Sequence, residues 1–109
     1  MDCLFCKIAA REIPAEIVWA GDGLVAFKDI HPKARIHVLL IPTEHIESLV
    51  HVEPADEPIL GKLLAAVPEV ADVLGLKERG FKTVINTGVE GGQEVPHLHV
   101  HILGGGVIG

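Results

Sequence analysis

Near the N-terminus, Leu4, Phe5, Ile8 and Ala9 fall at helical spacing and predict one short helix over Cys3 to Arg11, which Pro14 would stop. The pattern then turns strand-like. Ile17 to Ala20, Leu24 to Lys28 and Ile36 to Ile41 are rich in β-forming residues, with Gly21-Asp22-Gly23 as a hairpin turn between the first two. His31-Pro32-Lys33 reads as a loop, because the residue before proline is pushed out of the helical region. Helical spacing returns at Leu60, Leu63, Leu64, Val67, Val70, Ala71 and Leu74, predicting a main helix capped by Asp56 and closed by Gly75. Pro68 lies inside it and predicts a kink or a break into two pieces. Phe81 to Asn86 and His97 to Leu103 complete five strands. Short connections between them give an α+β class: an antiparallel five-stranded sheet with the main helix and the short N-terminal helix packed on one face.

Composition narrows the function classes. A chain of 109 residues is expected to form one domain, 1–109. With 49% apolar and 22% charged residues, collagen-like, coiled-coil and disordered classes drop out. Nine basic residues against 15 acidic ones leave a net charge of −6 with no basic run, so a nucleic-acid partner is not expected. A small phosphorylated ligand stays open, since backbone N–H groups and histidines can hold a phosphate locally. No apolar run approaches the roughly 20 residues of a membrane helix, and the start lacks a signal-peptide pattern, so a cytoplasmic protein without a membrane partner is expected. There, Cys3 and Cys6 form a Cys-x-x-Cys pair that points to a metal or redox role more than to a structural disulfide.

The chemistry concentrates in His97-Leu98-His99-Val100-His101. On a strand, alternate side chains share a face, so three imidazoles line up while Leu98, Val100 and Ile102 turn to the core. Just upstream, the turn from Asn86 to Pro96 carries Gly88, Gly91 and Gly92 and delivers successive backbone N–H groups suited to an anion. Titratable groups clustered beside such a turn form a functional-site pattern.

Together with Gly91-Gly92-Gln93 and Phe27-Lys28-Asp29-Ile30, this His-φ-His-φ-His pattern, φ being apolar, resembles the histidine triad (HIT) superfamily. Asp29 to Pro42 and Asn86 to Gly105 are similar to its Hint branch. The resemblance implies hydrolysis of purine nucleoside phosphoramidates (AMP or GMP joined to an amine) through a covalent nucleotidyl-histidine. No cofactor is needed for that catalysis. His99 matches the family's nucleophile, His101 the group placed to protonate the departing amine, and His37 a histidine that supports the pair. His97 would act through its backbone carbonyl, fixing the His99 tautomer.

Asp29 matches the ribose-binding aspartate. Asn86, Gly92, Gln93 and Glu94 match the phosphate and ribose positions, and Leu4, Phe5, Ile8, Phe27 and Ile30 the clamp around the base. Two departures stand out. Glu94 occupies the place of a serine that touches phosphate in eukaryotic Hint proteins, so its backbone N–H would serve instead. The end Gly104 to Gly109 lacks the aromatic and proline-bearing tail of many Hint proteins, so leaving-group selectivity does not carry over. Some bacterial relatives hold zinc with residues placed like Cys3, Cys6, His45 and His97, and a homodimer with joined sheets is implied. The competing readings are a dinucleoside polyphosphate hydrolase and a nucleotide- or metal-binding module without turnover. A transferase toward a sugar phosphate is disfavoured, because that branch commonly carries Gln where His101 stands.

Overall fold

Asp22 (φ 52°) and Gly23 (φ 78°) both adopt left-handed backbone conformations, the pair that a two-residue hairpin turn requires. They join β1 (Ile17–Gly21) to β2 (Leu24–Lys28) in a computed structural model that describes residues 3–109. With β3 (Ile36–Pro42), β4 (Lys82–Val84) and β5 (Val100–Gly104) they form one sheet in the order β1-β2-β3-β5-β4, every neighbouring pair antiparallel.

Two helices pack on opposite faces of this sheet, which corrects the expectation that both share one. The helix α2 (Glu57–Val73) buries Leu63, Ala66, Val67, Val70 and Ala71 against Leu24, Ala26, Val38, Leu40, Val100 and Ile102. The helix α1 (Leu4–Ala9) sets Phe5 and Ile8 on the other face, against Val25, Phe27, Leu39 and Ile41. Burial on both faces is why Leu24 to Phe27 and Val38 to Ile41 are unbroken apolar runs instead of alternating ones.

The helix ends also differ from expectation. Asp56 does not cap α2; its carboxylate accepts from the Glu53 N–H at 2.9 Å and closes the tight turn Pro54–Asp56 before the helix. Gly75 does end α2: at φ 73° its N–H reaches the Asp72 carbonyl, while the Leu76 N–H reaches Ala71. Pro68 leaves α2 in one piece, because it lies on the exposed side and the bond it forfeits is one of many. Cys3 caps α1, its sulfur accepting from the Cys6 N–H, and the left-handed Arg11 (φ 62°) turns the chain before Pro14 is reached.

Strand β5 begins at Val100, not at His97. The ladder stops because the next carbonyl of β3, that of Pro42, accepts from the His97 side chain at 2.8 Å, while the Leu98 N–H bonds the Ile46 carbonyl outside the sheet. The fourth strand is likewise shorter than expected, three residues, Lys82–Val84, in place of Phe81 to Asn86.

Candidate active site

A cavity of about 500 Å³ opens between α1, the end of β2 and the start of β5. Of the residues singled out in the sequence, Leu4, Phe5, Ile8, Phe27, Asp29, Ile30, Asn86, Gly92, Glu94, His99 and His101 line it. Gln93 does not. Its amide is consumed in holding the loop: Oε1 accepts from the Gly88 N–H at 3.0 Å, and Nε2 donates to the carbonyls of Glu47 and Val95. Asn86 keeps its place in the wall while donating from Nδ2 to the Gly91 carbonyl. A Cβ on Gly91 would run into the Thr87 carbonyl oxygen, so the tight wind of this loop requires glycine there.

Hydrogen bonds to the backbone fix the histidine tautomers, because a carbonyl only accepts and an N–H only donates. His99 Nδ1 lies 2.6 Å from the His97 carbonyl and so carries the proton, leaving the Nε2 lone pair free. No buried side-chain nitrogen among the described residues lacks a partner, so the unpartnered Nε2 opens onto the cavity. Burial holds the His99 pKa below its ordinary value against the opposing pull of its bond to His97 and the charges of Asp29 and Glu94. The ring of Phe5 stands edge-on to it, centroids 5.1 Å apart.

A second chain of bonds runs behind His101. The Lys33 N–H donates to His37 Nδ1 at 3.1 Å, so the proton of neutral His37 sits on Nε2. That nitrogen lies 2.9 Å from His101 Nδ1, which must accept, placing the His101 proton on its own Nε2. Asp29, 3.5 Å from His37 Nε2, completes the group. Although Asp29, His37 and His101 lie close enough to share a metal ion, His37 Nε2 is occupied by its proton, and the trio is built to orient that proton instead.

Burial, then the neighbouring His99 and His37, pushes His101 down to about 4, and burial also lowers His37. Both are therefore neutral in the free protein at pH 7. The quantity kcat/KM, which reports groups of the free enzyme, is expected to show no break near 6.5, its acidic break coming only as their lowered values are approached. An acidic limb at or above the ordinary histidine value would contradict this arrangement.

The side chain of His97 turns away from the cavity. Donating from Nε2 to Pro42, it directs its Nδ1 lone pair at Cys3 Sγ (3.2 Å), Cys6 Sγ (3.5 Å) and His45 Nδ1 (3.2 Å). His45 Nδ1 also lies 3.3 Å from Cys6 Sγ. Two sulfurs and two nitrogens so spaced fit a tetrahedron with bonds of about 2.0–2.3 Å, the dimensions of structural zinc. Burial, together with the neighbouring Cys3 thiol, pushes Cys6 up to about 11.

The HIT domain family model matches residues 10–106. This chain belongs to the HIT family. Over 103 residues, 94% of the chain and 95% of the relative, it is 56% identical to Protein HitA of Neisseria gonorrhoeae. It is 40% identical to the purine nucleoside phosphoramidase of Escherichia coli K12 across 108 residues, 99% of this chain and 91% of that one. The crystal structure of a HIT family hydrolase from Legionella pneumophila superposes with a TM-score of 0.93 at 43% identity, covering 97% of this chain and 95% of the other. The chain is thus a HIT-family hydrolase. Among its described residues no helix is long and apolar enough to cross a membrane.

Several lining residues, among them Lys28, His31, Lys33 and Val95, were not read as site residues in the sequence, and Lys33 is the one whose backbone orders the histidines. It sits in a loop without periodicity, and its backbone bond to His37 leaves no trace in residue type.

Proposed function

We propose that this HIT domain, residues 1–109, hydrolyses purine nucleoside phosphoramidates in two displacements at phosphorus. The observation that carries the reading is the His99 tautomer: Nδ1–H bound to the His97 carbonyl, Nε2 free at the cavity. The Nε2 lone pair attacks the α-phosphorus, the P–N bond breaks, and the amine leaves with a proton. Water then cleaves the N–P bond of the nucleotidyl-histidine, releasing the nucleoside monophosphate and restoring neutral His99. An imidazole needs no deprotonation before attack, and its lowered pKa keeps it neutral at pH 7.

The His101 Nε2–H is the donor facing the leaving nitrogen. His101 is neutral in the free protein, so its acidity arises when the substrate's phosphate anion enters and raises its pKa against His99 and His37. Asp29 accepts from the ribose hydroxyls, and Phe5, Phe27 and Ile30 clamp the base. The name of the Escherichia coli relative supports the substrate class. Steady-state hydrolysis of an adenosine 5′-phosphoramidate is expected to exceed that of a diadenosine polyphosphate; the reverse preference would transfer the chain to the dinucleoside polyphosphate reading.

The donor set Cys3, Cys6, His45 and His97 supports a structural zinc, which would tie α1 to the sheet and take no part in the displacements. The exposed Leu64 and Val73 on α2, and β4 at the edge of the sheet, support a homodimer whose sheets join there. Sedimentation as a monomer at micromolar concentration would refute that assembly. The cytoplasm suits both, since its reductants keep the two thiols unpaired.

A further inference from the structure

A second cavity, of about 620 Å³, lies on the α2 side of the sheet and shares no lining residue with the first. Three elements deliver cations to it: Arg35 from the loop before β3, Arg79 from the turn after α2, and Lys82 from the start of β4. In a chain of net charge −6, three of the nine basic residues meet at a cavity that no Asp or Glu side chain lines. Neither guanidinium has an ion-pair partner among the described residues. Lys82 donates one of its three hydrogens to the Gly109 oxygen, at 2.9 Å.

A plainer role for these charges would be to neutralise the carbonyl end of α2. Backbone bonds already take up three of the last four helix carbonyls: those of Val70, Ala71 and Asp72 accept from Leu74, Leu76 and Gly75. The walls are also shaped for access. Gly75, Gly80 and Gly106 have nothing within 4 Å of where a Cβ would stand. Gly105, at φ 88°, lets the Arg35 stem lie against the backbone, since a Cβ there would sit 3.0 Å from Arg35 Cβ. Ile36, Leu76 and Phe81 supply an apolar wall beside the cations.

We propose that this cavity binds a small organic phosphate carrying at least two negative charges. Its anion is held by Arg35, Arg79 and Lys82, and its apolar part rests on Ile36 and Phe81. Guanidinium groups grip phosphate oxygens two at a time, and paired cations favour a dianion over a carboxylate. The proposal stands apart from the hydrolytic site and does not depend on the phosphoramidate reading.

The test is a titration of the ¹⁵N-labelled protein with phenyl phosphate at pH 7.5, following the backbone amides. Saturable shifts are expected at Gly75, Gly80, Gly105 and Gly106, with binding at least about tenfold weaker in Arg35→Gln/Arg79→Gln, the loss of roughly one charge-assisted contact. The double variant should keep the native spectrum elsewhere and the native rate of phosphoramidate hydrolysis. Benzoate, with the same ring and one charge, should bind more weakly than phenyl phosphate. Absent or non-saturating shifts at these glycines, equal affinity in the double variant, or tighter binding of benzoate would each overturn the proposal. So would a change in oligomeric state of the double variant without phosphate binding, which would assign the cations to a subunit contact.

Discussion

His99→Ala is expected to lower hydrolysis of an adenosine 5′-phosphoramidate by at least about 10³-fold, equivalent to roughly 4 kcal/mol of barrier. The loss is large because none of the other histidines clustered with His99 offers an equivalent free nitrogen. His97 spends Nε2 on Pro42 and aims Nδ1 at the cysteines, while His37 is buried behind His101. His101 reaches the cavity with its protonated Nε2, a hydrogen-bond donor and not a nucleophile. The defect should fall on kcat, with KM little changed, since Asp29, Phe27 and Ile30, the residues proposed to meet the nucleoside, keep their places in the cavity wall.

Truncation also leaves the His97 carbonyl without its partner, at a cost of about 1–3 kcal/mol, so the variant should melt several degrees below the native protein and must be assayed well below that point. Rates of folded protein, compared side by side, decide the matter. A loss of tenfold or less would place the attacking group elsewhere and remove the covalent intermediate from the mechanism.

The parts of this site that the sequence displays are those with a period. Alternation at His97, His99 and His101 marks the face, and it survives even though the ladder covers only the last of the three. The same alternation misleads about His97, because a shared face does not mean a shared cavity: the chain leaves the sheet at Pro42 and carries that ring to the cysteines. Gln93 shows a second limit. Its residue type suits a phosphate contact, and only the three-dimensional loop reveals that Gly88, Glu47 and Val95 already use its amide.

The unbroken apolar runs of β2 and β3 did hold the information that both faces are covered, but it appears only when they are read as two-sided strands. The relay through His37 depends on a backbone N–H of Lys33, and the second cavity on three cations 44 or fewer residues from their neighbours along the chain; neither follows a pattern in sequence.

Removing the metal from protein purified without chelator is expected to lower Tm by roughly 10 °C or more, with recovery on adding zinc. The helix α1 has six residues, too few to persist alone in water, and depends on Phe5, Ile8 and the Cys3/Cys6 cluster to stay on the sheet. Without a cation, Cys6 keeps its proton at pH 7, its pKa raised to about 11, and the Nδ1 lone pair of His97 faces sulfur and His45 Nδ1 instead of metal. Zinc must displace the thiol protons to bind, so its affinity should fall as the pH falls.

The catalytic consequence follows from residues that serve both places. Leu4, Phe5 and Ile8 on α1 are walls of the cavity that His99 faces, so loosening the helix should raise KM for the phosphoramidate. His97 holds the cluster through its ring and the His99 tautomer through its carbonyl, so a smaller loss in kcat should accompany it. Metal content by mass spectrometry, calorimetry before and after chelation, and the two kinetic constants read these effects separately. Well under one zinc per chain, or a Tm unmoved by chelation, would leave Cys3 and Cys6 as two buried thiols and return the anchoring of α1 to Phe5 and Ile8 alone.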